Sequence, residues 1–285
     1  MRAMRMHGYG GPEVIRLDRI EPPEPGPGEV LVRVAATTFN PSEAGLRQGL
    51  LRSIVPLDLP YTMGLDLAGT TAEGDRVIGR LDGGAAAEHA VAPATMLVPV
   101  PDGVPLEDAA ALPIAGLTAW QAVFEHAAVT AGQRVLVNGA GAIGRYAIQL
   151  ARHAGAHVVA VTSRRGAAAA HESGAHRVVT GAGEIEPVDA LIHLVPAEPA
   201  HAARIRPGGV LVSATTPAAR LPAGPFRSLH FIVRNDTADL AALLALVAAG
   251  TVRIDIAGRR PLTDLAAVHA EAENRGLAGK TLLLP

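Results

Sequence analysis

The chain has 285 residues, enough for more than one average domain and a large core. Hydrophobic residues make up 49% but aromatics only 3%, so the core must be packed mostly from Ala, Val, Leu and Ile. A net charge of -2 gives no electrostatic reason to expect nucleic acid or an acidic membrane surface, and the lack of cysteine excludes disulfides, thiolate metal sites and a cysteine nucleophile. Met1–His7 lacks the apolar run of a signal peptide, and segment 238–249 is too short to span a bilayer. A cytoplasmic protein without a membrane partner is therefore expected.

In chain order, the first third reads as β-rich. Met1–His7, Val14–Arg19 and Glu29–Thr37 are candidate strands, separated by turn-forming stretches rich in Gly and Pro. Ser42–Gln48 reads as one or two helical turns, and Asp66–Ala72, Asp75–Arg80 and Ala86–Ala92 as short strands. From Leu106 the pattern changes. Leu106–Leu112 and Gly116–His126 look helical, and strands at 135–138, 157–162, 176–180, 188–195, 209–214 and 229–234 then alternate with Ala- and Leu-rich helices. Leu240–Ala249 is a helix stopped by Gly250, and the tail returns to strand, a helix over Leu262–Glu273 and a strand over Lys280–Leu284. This order predicts an α/β protein: a doubly wound parallel sheet of the Rossmann type, with helices on both faces, over 113–235. A β-rich lobe would combine 1–112 with 236–285, and a substrate cleft is expected between the two lobes.

The most informative stretch is Arg134-Val-Leu-Val-Asn138 followed by Gly139-Ala-Gly141-Ala-Ile-Gly144. A buried strand, a glycine turn and a helix start form the pattern that seats a pyrophosphate. Gly139 permits the tight turn, Gly141 lets backbone approach the phosphates, and Gly144 lets helix pack on strand, with Ala142 and Ile143 at the positive helix end. A second strand, His157–Thr162, arrives at the spacing the motif requires. It ends in Thr162-Ser163-Arg164-Arg165, where a site for NAD would carry an acid. Two guanidiniums and two hydroxyls suit a 2'-phosphate, so NADPH is the expected cofactor.

Taken in order, Tyr9-Gly-Gly-Pro-Glu-Val14, Pro25–Val32, Asn40-Pro41 with Arg47-Gln-Gly49, Gly64–Gly69, Gly74–Val77, Leu112–Trp120, Pro207–Val212 and Gly279-Lys280 carry a resemblance. The chain resembles the zinc-independent quinone oxidoreductases of the medium-chain dehydrogenase/reductase superfamily. The resemblance implies a GroES-like first lobe and an NADPH-dependent reductase of a quinone, an enone or an enoyl thioester, assembled as a homodimer. It implies that Asn40 lies near the nicotinamide, bonding to the ribose or the acceptor. It also places Thr118 by the cofactor ribose, Leu194, Val195, Ala214 and Thr215 along the adenine or ribose side, and backbone groups of Phe231, Ile232 and Val233 at the carboxamide. Relatives that oxidise alcohols commonly use zinc, held by a thiolate and a His-Glu pair. This chain has no Cys and reads Met63-Gly64-Leu65-Asp66 there, so no metal is expected.

Some positions depart from that pattern. The loop between Gly69 and Gly74 is shorter than in the family, Glu43 stands where the family usually has Asp, and Leu50-Leu51 replaces a Tyr carried by many enoyl-reducing relatives. No side-chain proton donor is evident, which favours a quinone or activated enone over an enoyl thioester, because hydroquinone oxygens take protons from solvent. A tailoring enoyl or enone reductase, a redox-neutral enzyme of secondary metabolism and a non-catalytic NADPH-binding sensor remain as alternatives. His193, inside a strand, reads as a buried histidine bonded to backbone, with a switchable donor at the cofactor edge as the other reading. Lys280 is the only lysine.

Overall fold

A computed structural model describes residues 1–181, 183–274 and 276–285. The chain divides into two compact units. Unit 1 comprises Met1–Ile114, Asn235–Ala248 and Ile254–Pro285, and unit 2 comprises Ala115–Arg234 and Ala249–Arg253.

In unit 1, β1 (Arg2–Met6) pairs antiparallel with β2 (Ile15–Arg19). β3 (Glu29–Thr38) leads through Phe39 into α1 (Pro41–Arg47), where proline sits at the first helical position and Asn40 caps the start. β4 (Tyr61–Thr62) joins β1. β5 (Asp66–Thr71) and β6 (Arg76–Arg80) form a hairpin whose turn is closed by Gly74 N–H donating to Thr71 O at 3.1 Å and Asp75 N–H to Thr71 Oγ1 at 3.2 Å. β7 (His89–Pro93), β8 (Leu97–Pro99) and α2 (Leu106–Ala109) follow. The sequence-based helix over Leu106–Leu112 is thus one turn of α-helix, and β4 and β8 are strands too short for their alternation to show.

The chain then runs through α3 (Pro113–Trp120), which continues as a π-helical turn over Gln121–His126. Unit 2 is built on β9 (Arg134–Asn138), α4 (Ala142–His153), β10 (His157–Val161), α5 (Ala167–Glu172), β11 (Arg177–Val179), β12 (Val188–His193), β13 (Ile205–Ser213) and β14 (Arg227–His230). All neighbours are parallel in the order β11-β10-β9-β12-β13-β14, the arrangement of a doubly wound sheet.

The helices are not evenly shared between the faces. α4 and α5 carry the first two crossovers. Among the described residues the later three hold no α-helix, only 3-10 turns at Ala202–Arg204 and Ala218–Arg220. Right-handed crossovers set these connections on the face opposite α4 and α5. There Ile185 and Ala202 pack with Leu136, Val159, Leu191 and Leu211, and Leu221 and Phe226 lie against them. Pro- and Gly-bearing connections cover this face where the sequence pattern suggested helices.

The tail adds α6 (Thr237–Ala248), β15 (Ile256–Pro261), α7 (Leu265–Glu273) and β16 (Lys280–Leu284) to unit 1. β15 and β16 extend the β3 sheet to the order β15-β16-β3-β5-β6-β8, with β7 also on β3. Ala249–Arg253 clusters with unit 2, where Arg253 N–H donates to Gln149 Oε1 at 2.8 Å. No helix among the described residues is long and apolar enough to cross a membrane.

Candidate cofactor and acceptor sites

The registers of unit 2 align one transverse row of residues: Val161, Asn138, His193, Ser213 and His230. Each is the last residue of its strand. The residues just beyond this row are Gly139–Gly144, Thr162–Arg165, Leu194-Val195, Ala214-Thr215 and Phe231–Val233. One carboxyl edge of one sheet therefore brings together all the expected cofactor residues except Asn40 and Thr118. In open α/β sheets ligands bind at this edge, where chain leaves neighbouring strands in opposite directions. Here β9 is that point, with β10 on one side and β12 on the other.

The glycine turn has the required shape. Gly139 sits at φ +108°, and its N–H donates to Val161 O at 2.8 Å. A Cβ on Gly144 would lie 1.7 Å from Gly139 O, so only glycine lets the first turn of α4 close onto the strand end. A Cβ on Gly141 would meet nothing within 4 Å. That open space, in front of N–H groups that have no partner inside the helix, fits a pyrophosphate. Beyond β10, Ser163, Arg164 and Arg165 are exposed, and among the described residues the Arg164 side chain has no hydrogen-bond or ion-pair partner. Thr162 lies at the same strand end, its Oγ1 beside Gly166.

The far end of the row differs from the expected strand. β14 stops at His230. Phe231 N–H donates to Ser213 O at 3.1 Å, and then Arg234 N–H donates to Gln121 Oε1 at 3.2 Å while Gln121 Nε2 donates to Arg234 O at 3.0 Å. This reciprocal pair ties the chain to the π-helical turn. It leaves the Ile232 and Val233 N–H groups without an acceptor among the described residues and the Ile232 side chain 82% exposed. Thr215 Oγ1 donates to Val195 O at 2.8 Å, joining two of the lining turns. Thr118 is buried in α3.

His193 is fully enclosed. Nε2–H faces Ala197 O at 2.8 Å and Nδ1 accepts from Asn138 Nδ2 at 3.0 Å, so the network sets one neutral tautomer. Burial holds its pKa below the usual histidine range. This is the packing reading of His193.

Asn40 stands in unit 1, in a buried polar cluster that the sequence did not show as one. β16 and β5 flank β3, with Leu282 opposite Thr38 and Ala68 opposite Ala36. Continued in register, this sets Lys280 and Asp66 beside the Thr38–Asn40 segment. Lys280 Nζ donates to Asp66 Oδ2 at 2.8 Å and to Asn40 Oδ1 at 2.6 Å. Asn40 Nδ2 donates to Asp66 Oδ2 at 2.9 Å and Glu43 Oε2 at 3.2 Å, and Thr38 Oγ1 also donates to Asp66. Asp66 Oδ1 takes the Ile114 N–H at 2.8 Å, and Glu43 Oε1 takes the Gly64 N–H at 3.0 Å. Burial, reinforced by the Asp66 carboxylate, pushes the Glu43 carboxyl up to about 7.

One turn along α1 lies a second cluster. Arg47, fully buried, donates through Nε to His269 Nδ1 at 3.3 Å, and also to Gly10 O and Glu273. Burial pushes His269 down to about 4. Between α1 and β4, Leu50 and Ile54 are 72% and 77% exposed, an apolar surface on the segment that follows Arg47.

Two family models cover most of the chain. One, described as "Alcohol dehydrogenase GroES-like domain", matches residues 26–102, and one, described as "Zinc-binding dehydrogenase", matches 154–283. A third, "Glutamate/Leucine/Phenylalanine/Valine dehydrogenase", matches 111–182. The quinone oxidoreductase of Coxiella burnetii superposes at a TM-score of 0.88 with 27% identity, covering 100% of this chain and 99% of that one. The chain belongs to the medium-chain dehydrogenase/reductase superfamily. A mycobacterial member of known structure, complexed with NADPH, matches at a TM-score of 0.88 and 27% identity over 100% of both chains. Among curated members, the chloroplastic quinone-oxidoreductase homolog of Spinacia oleracea is 35% identical over 185 residues, 58% of this chain and 56% of that protein. The chain thus spans little more than half the length of that relative.

The description of one family model raises a zinc centre. The donor set does not fit one: the chain has no Cys, and among the described residues no three His, Asp or Glu side chains come together as metal ligands.

Proposed function

We propose that the protein is an NADPH-dependent oxidoreductase that reduces a quinone or activated enone without a metal. The observation that carries this reading is the strand-end row of unit 2, with the glycine turn at its centre and the Arg164–Arg165 pair at the end of β10. Gly139, Gly141, Ala142, Ile143 and Gly144 hold the pyrophosphate through main-chain N–H groups. Thr162, Ser163, Arg164 and Arg165 take the 2'-phosphate, and Leu194, Val195, Ala214 and Thr215 line the adenine or ribose side. The open N–H groups of Ile232 and Val233 suit a carboxamide oxygen. Thr118 and Asn40 complete the proposed set, with Asn40 as the polar residue nearest the chemistry.

Bound NADPH supplies the hydride. The residues hold the reacting groups at close range and keep the surroundings apolar, and the acceptor oxygens take their protons from solvent. The exposed aliphatic surface at Leu50 and Ile54 suits an apolar acceptor. We further propose a homodimer and a cytoplasmic location.

A second reading, an NADPH-binding protein without turnover, draws support from the closed hydrogen bonding around Asn40, in which both Glu43 carboxyl oxygens are already bonded within the cluster. Fluorescence titration with NADPH and NADH, followed by absorbance after adding para-benzoquinone and phenanthrenequinone, separates the two. Tighter NADPH binding with quinone-dependent oxidation supports the reductase, binding without oxidation supports the second reading, and no binding removes both.

A further inference from the structure

The amino edge of the unit 2 sheet carries a second polar cleft, away from the glycine turn. His157 and Arg134 open β10 and β9 side by side, and His176 directly precedes β11. α4 joins the two edges: Gly141 stands at its start, and Arg152 and His153 lie in its last turn. There an open cleft of about 270 Å³ lies between the ends of α4 and α5 and the segment 251–253. Arg152, His153 and Arg253 line it, against one acid, Glu172.

The His176 ring defines the chemistry of this cleft. The Val158 N–H donates to Nδ1 at 2.9 Å, so Nδ1 carries no proton. Slight burial, Arg152 and the stacked His157 ring hold the His176 pKa below the usual histidine range. The ring is therefore neutral near pH 7, with its proton on Nε2. Arg152 Nη1 stands against this ring, 3.3 Å from Nδ1 and nearer to Nε2. A guanidinium only donates, so two N–H donors face each other with no acceptor between them. Arg253 lines the same cleft and is held in place. Gln149 accepts from its N–H at 2.8 Å and donates to its carbonyl oxygen at 3.2 Å, while Arg253 Nη2 donates to Glu172 O. Arg253 Nε and Nη1, like Arg152 Nε and Nη2, have no partner among the described residues.

We propose that this cleft binds a phosphate group, with Arg152, Arg253 and His176 Nε2–H as its donors. A phosphate oxygen between Arg152 and His176 supplies the acceptor that both face, and the two guanidiniums balance its charge. The Glu172 carboxylate, which has no partner among the described residues, suits a hydroxyl on an esterified phosphate. Two sources share this chemistry: free phosphate and a small phosphomonoester. The site is independent of the reductase reading, because the proposed cofactor residues of unit 2 lie beyond the opposite ends of the strands.

The test is calorimetric titration with inorganic phosphate and with glycerol phosphate at constant ionic strength, with histidine ring NMR signals to locate the binding. The wild type should saturate at millimolar ligand and shift the His176 signals. Arg152→Gln and Arg253→Gln should each weaken binding about tenfold or more, the loss of a charge-assisted hydrogen bond. His176→Phe keeps a ring against His157 but removes the donor, and should weaken binding about tenfold. Tighter binding of glycerol phosphate names the ester, and equal binding names the free ion. An Arg152 that only compensates the α4 dipole would lower thermal stability when replaced and leave phosphate binding unchanged, a result that overturns the proposal. Binding lost in Arg164→Ala but kept in Arg152→Gln overturns it too, since the phosphate is then at the cofactor edge. So does a wild-type response that sodium chloride reproduces at the same ionic strength.

Discussion

The two units make their candidate sites from opposite materials. In unit 2 the site is main chain and empty space: a glycine with nothing within 4 Å of its missing side chain, unpaired helix N–H groups and exposed arginines. In unit 1 it is four buried side chains, Asn40, Glu43, Asp66 and Lys280, which satisfy one another. A site of the first kind waits for its ligand, and its residues cost the fold little. A site of the second kind is already bonded, so its residues act on stability as much as on binding.

The sharpest check is Lys280→Met. It strands the Asp66 carboxylate in the core, and urea unfolding should show a loss of about 4 kcal/mol, as expected when a buried ion pair loses one member. Asp66→Asn/Lys280→Met should recover much of it. In unit 2, Gly144→Ala and Gly141→Ala should diverge. The first forces a Cβ into Gly139 O and should cost about 3 kcal/mol of stability. The second should change stability by less than about 1 kcal/mol while weakening NADPH binding roughly tenfold or more, because backbone can no longer approach the phosphates. Comparable stability losses at both glycines would break the contrast between the units.

Glu43 carries a pH signature. Its carboxyl is raised from 4.5 to about 7 by burial and by Asp66, so the folded chain binds this proton more tightly than the unfolded chain. Its contribution is full below pH 4.5 and is lost as pH rises to about 7, a change of roughly 3 kcal/mol. His269, lowered from 6.5 to about 4, contributes with the opposite sign: stability is lost as pH falls through that window. The two slopes oppose each other between pH 4.5 and 6.5, so unfolding curves of Glu43→Gln against wild type isolate the first. A Glu43→Gln profile that tracks the wild type across this window would show Glu43 ionised throughout. The smallest expected effect is at the other unit's surface. Arg164→Ala should leave unfolding unchanged and lower the preference for NADPH over NADH about tenfold by titration, the loss of one charge-assisted hydrogen bond.

The same contrast decides what the sequence reveals. The strand, glycine turn and helix of 134–153 are local, and glycine spacing reports main-chain shape directly. Three apolar runs ending in Asn138, His193 and Ser213 mark the strand edge, a repeated polar terminus that could have been noticed. The end of β14 could not, because Gln121 draws the chain away from 113 residues off in sequence. Asn40, Glu43, Asp66 and Lys280 each stood out singly: a residue expected near the nicotinamide, an odd acid, a replaced zinc motif and a lone lysine. Their meeting depends on β16 pairing with β3 across 240 residues, which no local pattern encodes. The thin cover of one sheet face was likewise hidden, since short Ala-rich connections read as helix until the crossovers are traced.

The burial of Lys280 also gives the folded chain an unusual chemical property. With one lysine, 2% exposed, its side chains present almost no target to reagents that acylate amines. Lys280 becomes modifiable only when β16 parts from β3. Its labelling rate is then a clock for that opening, readable by mass on a single peptide, and it reports the strand that closes the unit 1 sheet around Asn40.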